Sequence, residues 1–339
     1  MENKKEMTAL DVSAATDTEQ PISKCTDNSI SEKAGKINDL ETISMTELYD
    51  TVYPSKPPLI DGLLYTGTYL FVGAPKLGKS YLMAQLAYHI STGTPLWDYT
   101  VRKGTVLYLA LEDDYRRLQE RLYRMFGTDS TDNLFFSVSA DSLGNGLDAQ
   151  LQRFMQEHTD TSLIIIDTLQ KVREVGGDNY SYANDYEIIT RLKQFADKYG
   201  ICILLVHHTR KQTADDKFNM ISGTTGLLGA ADGAFLLQKE KRTSNAATLE
   251  VSGRDQQDQK LYLNRNTETL LWELERTETE LWKEPPEPLL EKIAQLLSSG
   301  SNEWTGTPTE LCSILQLDIQ PNALTRKLNI NAGRLLNEY

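Results

Sequence analysis

Cysteine is scarce and scattered in this chain: Cys25, Cys202 and Cys312 form no CxxC pair and have no histidine at ligand spacing. That excludes a cysteine-based zinc site and a disulfide framework, and it fits a reducing compartment. Long apolar runs are missing too, since no stretch reaches the roughly 18 apolar residues of a membrane-spanning helix. The N-terminal "MENKKEMTALDVSAATDTEQ" lacks the apolar core of a secretory signal, so a soluble cytoplasmic protein with no membrane partner is expected. Positive charge is in deficit, with 35 Lys and Arg against 48 Asp and Glu and a net charge of −13. This excludes coating of nucleic acid through a globally basic surface and leaves room only for a local basic track. Internal repeats and low-complexity tracts are absent, and residues 1–42 have almost no aromatics and no sustained periodicity. Such a segment buries too little apolar area to offset its ordering entropy, and a disordered tail is expected there.

What is present begins with size: 339 residues at 40% hydrophobic content suffice for a main domain and a smaller module. A short helix is expected in "ISMTELYDTVYP", residues 43–54, leading into the core. The runs "TYLFVGA", "TVLYLALE", "LFFSVSA", "SLIIID" and "ICILLVHH" read as strands. They alternate with "KSYLMAQLAYHIS", "DYRRLQERLYRMF", "LDAQLQRFMQEH" and "YEIITRLKQFADKYG", whose apolar residues recur at helical spacing. Continuous apolar strands alternating with helices predict an α/β fold with a mostly parallel central sheet and right-handed crossovers. Three further β-like runs, "GAFLLQKE", "AATLEVSGRD" and "KLYLNRNTETLLWEL", predict antiparallel hairpins that extend the sheet at its edge. The expected boundaries are a main domain over 43–274, a Pro-rich charged linker over 275–288, and a three-helix module over 289–339.

The stretch "FVGAPKLGKS" satisfies G-x-x-x-x-G-K-[ST] at Gly73, Gly78, Lys79 and Ser80, behind a strand and ahead of a helix. Gly73, Ala74, Pro75, Lys76, Leu77 and Gly78, with Lys79, Ser80 and Tyr81 opening the helix, form a candidate cradle for the phosphates of ATP. In it Lys79 reaches the β- and γ-phosphates and Ser80 holds Mg²⁺. "LIIIDT" ends a buried strand on Asp167, a carboxylate suited to the Mg²⁺ shell. "LYLALEDD" ends another on Glu112, a candidate for polarising the attacking water, whereas Asp113 and Asp114 suit the N-cap of the next helix. "ILLVHHTRK" brings His207 and His208 to a third strand end as candidate γ-phosphate sensors, of which one can face the site. Arg210 and Lys211 follow, able to face a neighbouring subunit or nucleic acid. The Gly-rich "QTADDKFNMISGTTGLLGAADGA" is either a DNA-contacting loop or a plain connection. Arg254 in "VSGRDQQ" is either a surface arginine or a finger acting across a subunit interface.

Together "LIDGLL…GTYLFVGAPKLGKS", "VLYLALEDDYRRLQERL", "LIIIDTLQKVR", "VHHTRK", "ISGTTGLLGAADGAFLL" and "SGRD" resemble the RecA-like hexameric ATPases of the plasmid RepA replicative helicase type. The resemblance runs from about Pro54 to Glu273. It implies a RecA-like P-loop fold, with Glu112 as general base, His207 or His208 as sensor, and Arg254 in trans, with Arg210 and Lys211 as competitors. The C-terminal "WTGTPTELCSIL…IQPNALTRKLNINAGRLLNEY" is similar to winged-helix modules appended to some members. A β-wing follows the recognition helix in those modules, and here Tyr339 follows that helix directly, so either the wing is missing from this sequence or the module is incomplete. Arg326, Lys327 and Arg334 are candidates for reading a major groove, and a protein-contact module is the alternative. The resemblance implies an ATP- and Mg²⁺-dependent motor that forms a homo-oligomer, a hexamer, on single-stranded DNA during replication of a plasmid, phage or integrative element. A replication initiator or primase is a candidate partner. The alternatives are a regulatory or adaptor ATPase that does not unwind, and an initiator-type DNA-binding protein that uses nucleotide only to assemble.

Overall fold

Each of the five apolar runs becomes a strand. A computed structural model describes residues 42–53, 57–173, 182–209, 225–239, 241, 243–254, 256–279, 287–298 and 303–338. After α1 (Met45–Asp50) the chain forms β1 (Gly67–Gly73), α2 (Lys79–Thr92), β2 (Thr105–Ala110), α3 (Tyr115–Phe126) and β3 (Leu134–Ser137). It continues through α4 (Leu147–Glu157), β4 (Thr161–Asp167), α5 (Leu169–Val172), α6 (Tyr182–Tyr199) and β5 (Cys202–His208). Every residue of β1, β2 and β4 is buried, as are all but the last of β5. Their faces alternate as strand geometry requires. Tyr69 and Phe71 pack with Leu82 and Met83 of α2 and Leu118 of α3, while Leu70 and Val72 pack with Leu151 of α4 and Ile189 of α6. Both faces are covered, which is why these strands read as unbroken apolar runs.

The sheet order among the described residues is β3-β2-β4-β5-β1-β6-β7-β8-β9. After α7 (Thr225–Ala230), β6 (Gly233–Gln238) joins β1 in parallel, so the first of the three late runs is a sixth parallel strand as well as the antiparallel hairpin partner of the strand that follows it. β7 (Ala246–Gly253), β8 (Gln259–Arg265) and β9 (Trp272–Thr279) then add antiparallel strands. Burial alternates along β7 and β8, the mark of a sheet covered on one face only. The run "KLYLNRNTETLLWEL" is therefore two strands. It breaks at Asn266, whose side-chain oxygen accepts the Glu268 and Thr269 N–H groups at 2.9 and 3.1 Å, an Asx-type turn. β9 continues through residues 275–279, the start of the stretch expected to be linker. Alternate charges gave that stretch a linker's composition, but they lie on an edge strand, where charge is the usual guard against further pairing.

A second unit comprises Met1–Ser55 and Glu284–Tyr339. Its described helices are α1, α8 (Pro288–Ser298), α9 (Pro308–Ile314), α10 (Pro321–Ile330) and α11 (Ala332–Glu338). The last expected helix is thus split at Asn331, giving four C-terminal helices where three were expected. Leu289, Ile293, Leu311, Cys312 and Leu324 form the small core. α1 belongs to this unit and not to the sheet domain: Arg326 pairs with Asp50 at 3.1 Å, and Asn329 donates to the Tyr49 carbonyl at 3.3 Å.

Candidate functional site

The strand ends set the site. β1, β2, β4 and β5 run parallel, so Gly73, Ala110, Asp167 and His208 finish at one sheet edge, with Gly73 in register with His208 and Ala110 with Asp167. The loop after β1 turns through Lys76 and Gly78, at φ values of 65° and 101°. Gly78 then caps α2. Gly73 is needed for packing, since a Cβ there would lie 2.7 Å from the Leu237 carbonyl oxygen of β6. Lys79 folds back across this loop. Its ammonium donates to the carbonyls of Gly73 and Ala74 at 2.8 and 3.1 Å and lies 3.1 Å from His208 Nδ1. Burial lowers its pKa to about 8, against the opposing pull of the Asp167 and Glu112 carboxylates.

Those two carboxylates are held differently. Asp167 is buried and accepts the Tyr108 hydroxyl at 2.9 Å. Burial raises its pKa, while hydrogen bonds from the Ser80 and Tyr108 hydroxyls work in the opposite direction. Glu112 accepts the Thr168 hydroxyl at 3.3 Å. The rest of the acidic run is committed elsewhere: Asp113 pairs with Arg121 at 2.7 Å, and Asp114 caps α3 by accepting the Arg117 N–H at 2.9 Å. Of the two histidines, His208 faces Lys79, and burial followed by that lysine's charge lowers its pKa. His207 is buried in the sheet.

Arg254 is not brought to this edge. It follows β7, whose end pairs with the start of β6 (Gly253 with Gly233), whereas the phosphate loop lies beside the end of β6 (Gly73 with Leu237). The exposed Arg254 guanidinium donates to the Gly229 carbonyl at 3.2 Å, and its N–H to the Asp232 carbonyl at 2.8 Å. The length of β1, about 20 Å at strand rise, separates it from its own chain's loop. Arg210 and Lys211 lie outside the described residues, as does most of the Gly-rich stretch. In the second unit Arg326 and Lys327 are each engaged by a carboxylate, Asp50 and Glu287.

Sequence reasoning missed a group of side chains beside the loop. The Arg265 guanidinium lies 4.1 Å from the Tyr81 ring centroid, and Arg121 lies 5.0 Å from it. Trp272, fully buried, donates from its indole to the Gly78 carbonyl at 3.3 Å. Gln85 of α2 fixes that tryptophan, accepting its N–H at 2.8 Å and donating to its carbonyl at 2.9 Å. Any Cβ on Gly78 would approach Trp272 at 3.1 Å and Arg265 at 3.3 Å. A cavity of about 360 Å³ opens alongside, lined by Tyr81, Asp113, Arg117, Arg121 and Arg124 among others. Strand direction, which the sequence left open, places these side chains: β8 runs parallel to β1 after two reversals, which carries Arg265 to the loop's edge.

Among the described residues no group of three His, Cys, Asp or Glu is arranged to hold a metal. The fit for Mg²⁺ is the Ser80 hydroxyl near enough to the Asp167 carboxylate to favour its charged form. These are two hard oxygen donors of the kind Mg²⁺ takes while keeping water and phosphate oxygens in its other positions. No described helix is long and apolar enough to cross a membrane.

No curated protein matches the chain. Solved structures do. A separately solved ATPase domain aligns with a TM-score of 0.51 at 14% identity over 61% of this chain and 84% of that one. A structure of "a DnaB-like replicative helicase and its interactions with primase" gives 0.49 at 17% identity, over 61% of this chain and 57% of that one. A KaiC-like protein, PH0186 from Pyrococcus horikoshii OT3, gives 0.47 at 13% identity, over 66% and 99%. At 14% identity the first of these alignments concerns the fold alone, an α/β RecA-like domain with a mostly parallel sheet and antiparallel edge strands. Residues 37–214, more than half of the sequence, match the family model AAA_25, an AAA domain, and the chain belongs to that family.

Proposed function

We propose that the chain is an ATP-hydrolysing motor that assembles into a ring, a hexamer. In this reading it couples hydrolysis to movement along single-stranded DNA during replication of a plasmid, phage or integrative element. The observation that carries the chemistry is the gathering of Lys79, the Ser80–Asp167 pair, Glu112 and His208 at one sheet edge. The loop amides and the α2 N-terminus receive the phosphates, and the Lys79 ammonium draws charge from their oxygens. Ser80 and Asp167 would hold Mg²⁺, which would supply neutralisation of the phosphate charge. Glu112 accepts a proton from water as the water oxygen bonds to the γ-phosphorus. The bond to the bridging oxygen breaks, releasing ADP and phosphate. His208 senses the γ-phosphate through the ammonium it already contacts.

Membership of an AAA family, together with a RecA-like fold shared with a solved ATPase domain, supports the hydrolytic part of this reading. The motor part rests on the likeness of the ordered motifs to ring-forming helicases, an argument by analogy. The distance of Arg254 from its own loop supports a role at the nucleotide of a neighbouring copy. The acidic net charge is compatible because local field, not total charge, governs binding in a channel.

The test is ATP turnover with and without single-stranded DNA, alongside oligomer size with and without nucleotide. Turnover is expected to rise with DNA in a nucleotide-stabilised ring. A ring whose turnover ignores DNA, and which never opens a forked duplex, would replace the motor by the adaptor ATPase. Mixing Arg254→Ala with Lys79→Ala chains is expected to restore turnover if the arginine acts in trans, and mixtures as inactive as their parents would remove that role.

A further inference from the structure

We propose that Tyr108 is a positioning residue for the divalent cation: its buried phenol O–H holds the Asp167 carboxylate in one orientation beside the Ser80 hydroxyl. The inference rests on the reading that Ser80 and Asp167 hold that cation.

Tyr108 lies within β2, in register with Ile165 of β4, two residues before the Ala110–Asp167 pair. Residues two apart on a strand share a face, so a side chain as long as tyrosine can reach along that face toward the sheet edge. Its ring is fully buried and packs on Phe136 at 5.5 Å between centroids. Packing alone does not account for the hydroxyl, because a phenylalanine would fill the same space without a polar atom that needs a partner.

A phenol has one proton to give, and two acceptors lie near it. The Asp167 Oδ2 is at 2.9 Å and the Ser80 carbonyl at 3.5 Å, so the proton goes to the carboxylate. The oxygen nonetheless sits between the backbone of one cation ligand and the side chain of the other. An acidic side chain at a strand end can rotate about two bonds. With one oxygen pinned at 2.9 Å, the Asp167 carboxylate keeps one rotamer, near the Ser80 hydroxyl that favours its charged form. Groups that orient a metal ligand from behind commonly govern metal affinity by tenfold or more.

The experiment compares wild type with Tyr108→Phe in the full chain, which keeps the ring and its contact with Phe136. A fluorescent ATP analogue is titrated without metal and then at increasing Mg²⁺. The expected result is a Mg²⁺ concentration for half-maximal tight binding raised about tenfold, with metal-free affinity within about twofold of wild type. In an Asp167→Asn background the same change is expected to shift the Mg²⁺ midpoint no further, because the group it orients is gone. An unchanged midpoint in Tyr108→Phe overturns the proposal, as does an equal shift that persists beside Asp167→Asn. If Asp167→Asn alone leaves the Mg²⁺ dependence intact, it is the cation reading of Asp167 that fails, a result distinguishable from either of those.

Discussion

Nucleotide affinity is expected to fall at alkaline pH because of one lysine. Burial brings the Lys79 pKa down to about 8 from the ordinary lysine value of 10.5. The group is a base with a depressed pKa, so its charged form is present below pH 8 and is lost as pH rises through that value. At a pKa of about 8 the protonated fraction is about 0.9 at pH 7 and about 0.1 at pH 9. Phosphate oxygens bind the ammonium and not the neutral amine, so apparent affinity scales with that fraction, as it does for any binding-competent population. Affinity should therefore weaken about tenfold between pH 7 and pH 9, whereas a lysine titrating at its ordinary value would change it by only a few per cent. The assay is titration of a fluorescent ATP analogue at pH 7, 8 and 9, at fixed ionic strength and free Mg²⁺. Lys79→Arg, whose charge is fixed across this range, should give a flat profile whatever its absolute affinity. A flat wild-type profile would refute the reasoning, and so would an arginine variant that falls in parallel with wild type.

Two further outcomes are expected. Glu112→Gln should keep nucleotide binding while turnover drops by about 10²- to 10⁴-fold, the usual worth of a general base; turnover at the wild-type rate would remove Glu112 from that role. Gln85→Ala should destabilise the sheet domain by about 1–3 kcal/mol in a denaturant melt, because it leaves the buried Trp272 N–H without its acceptor. The Trp272 carbonyl keeps the Trp97 indole at 2.6 Å, so only one group is orphaned, and an unchanged melt would mean that β9 is seated on α2 by packing alone.

The parallel strands were legible because burial on both faces leaves a chain segment little choice but continuous apolar residues, as in "SLIIID" and "ICILLVHH". The phosphate loop was legible for a related reason: its turn needs particular backbone freedom at Gly78 and close approach at Gly73, and those demands fall on a short stretch of chain. Asp114 as a helix cap was equally local. What stayed hidden was set by partners far along the chain. Trp272 and Gln85 meet across 187 residues, and neither carries a mark that distinguishes it from any other buried tryptophan or helix glutamine.

Arg254 and Arg265 make the same point more sharply, since each stands at or just past the end of a strand, although Arg265 lay inside a run that read as one. Direction separates them. β7 has reversed once relative to β1, so its final residues lie at the sheet edge away from the phosphate loop; β8 has reversed twice, so its last residue returns to that loop. The direction of the later strands depends on whether β6 joins β1 in parallel or antiparallel, and the apolar run "GAFLLQ" fits both pairings. Once β6 is parallel to β1, Arg265 is committed to its own chain's loop, against Tyr81. Arg254 is left at the opposite edge, so any nucleotide it serves as a finger belongs to another copy.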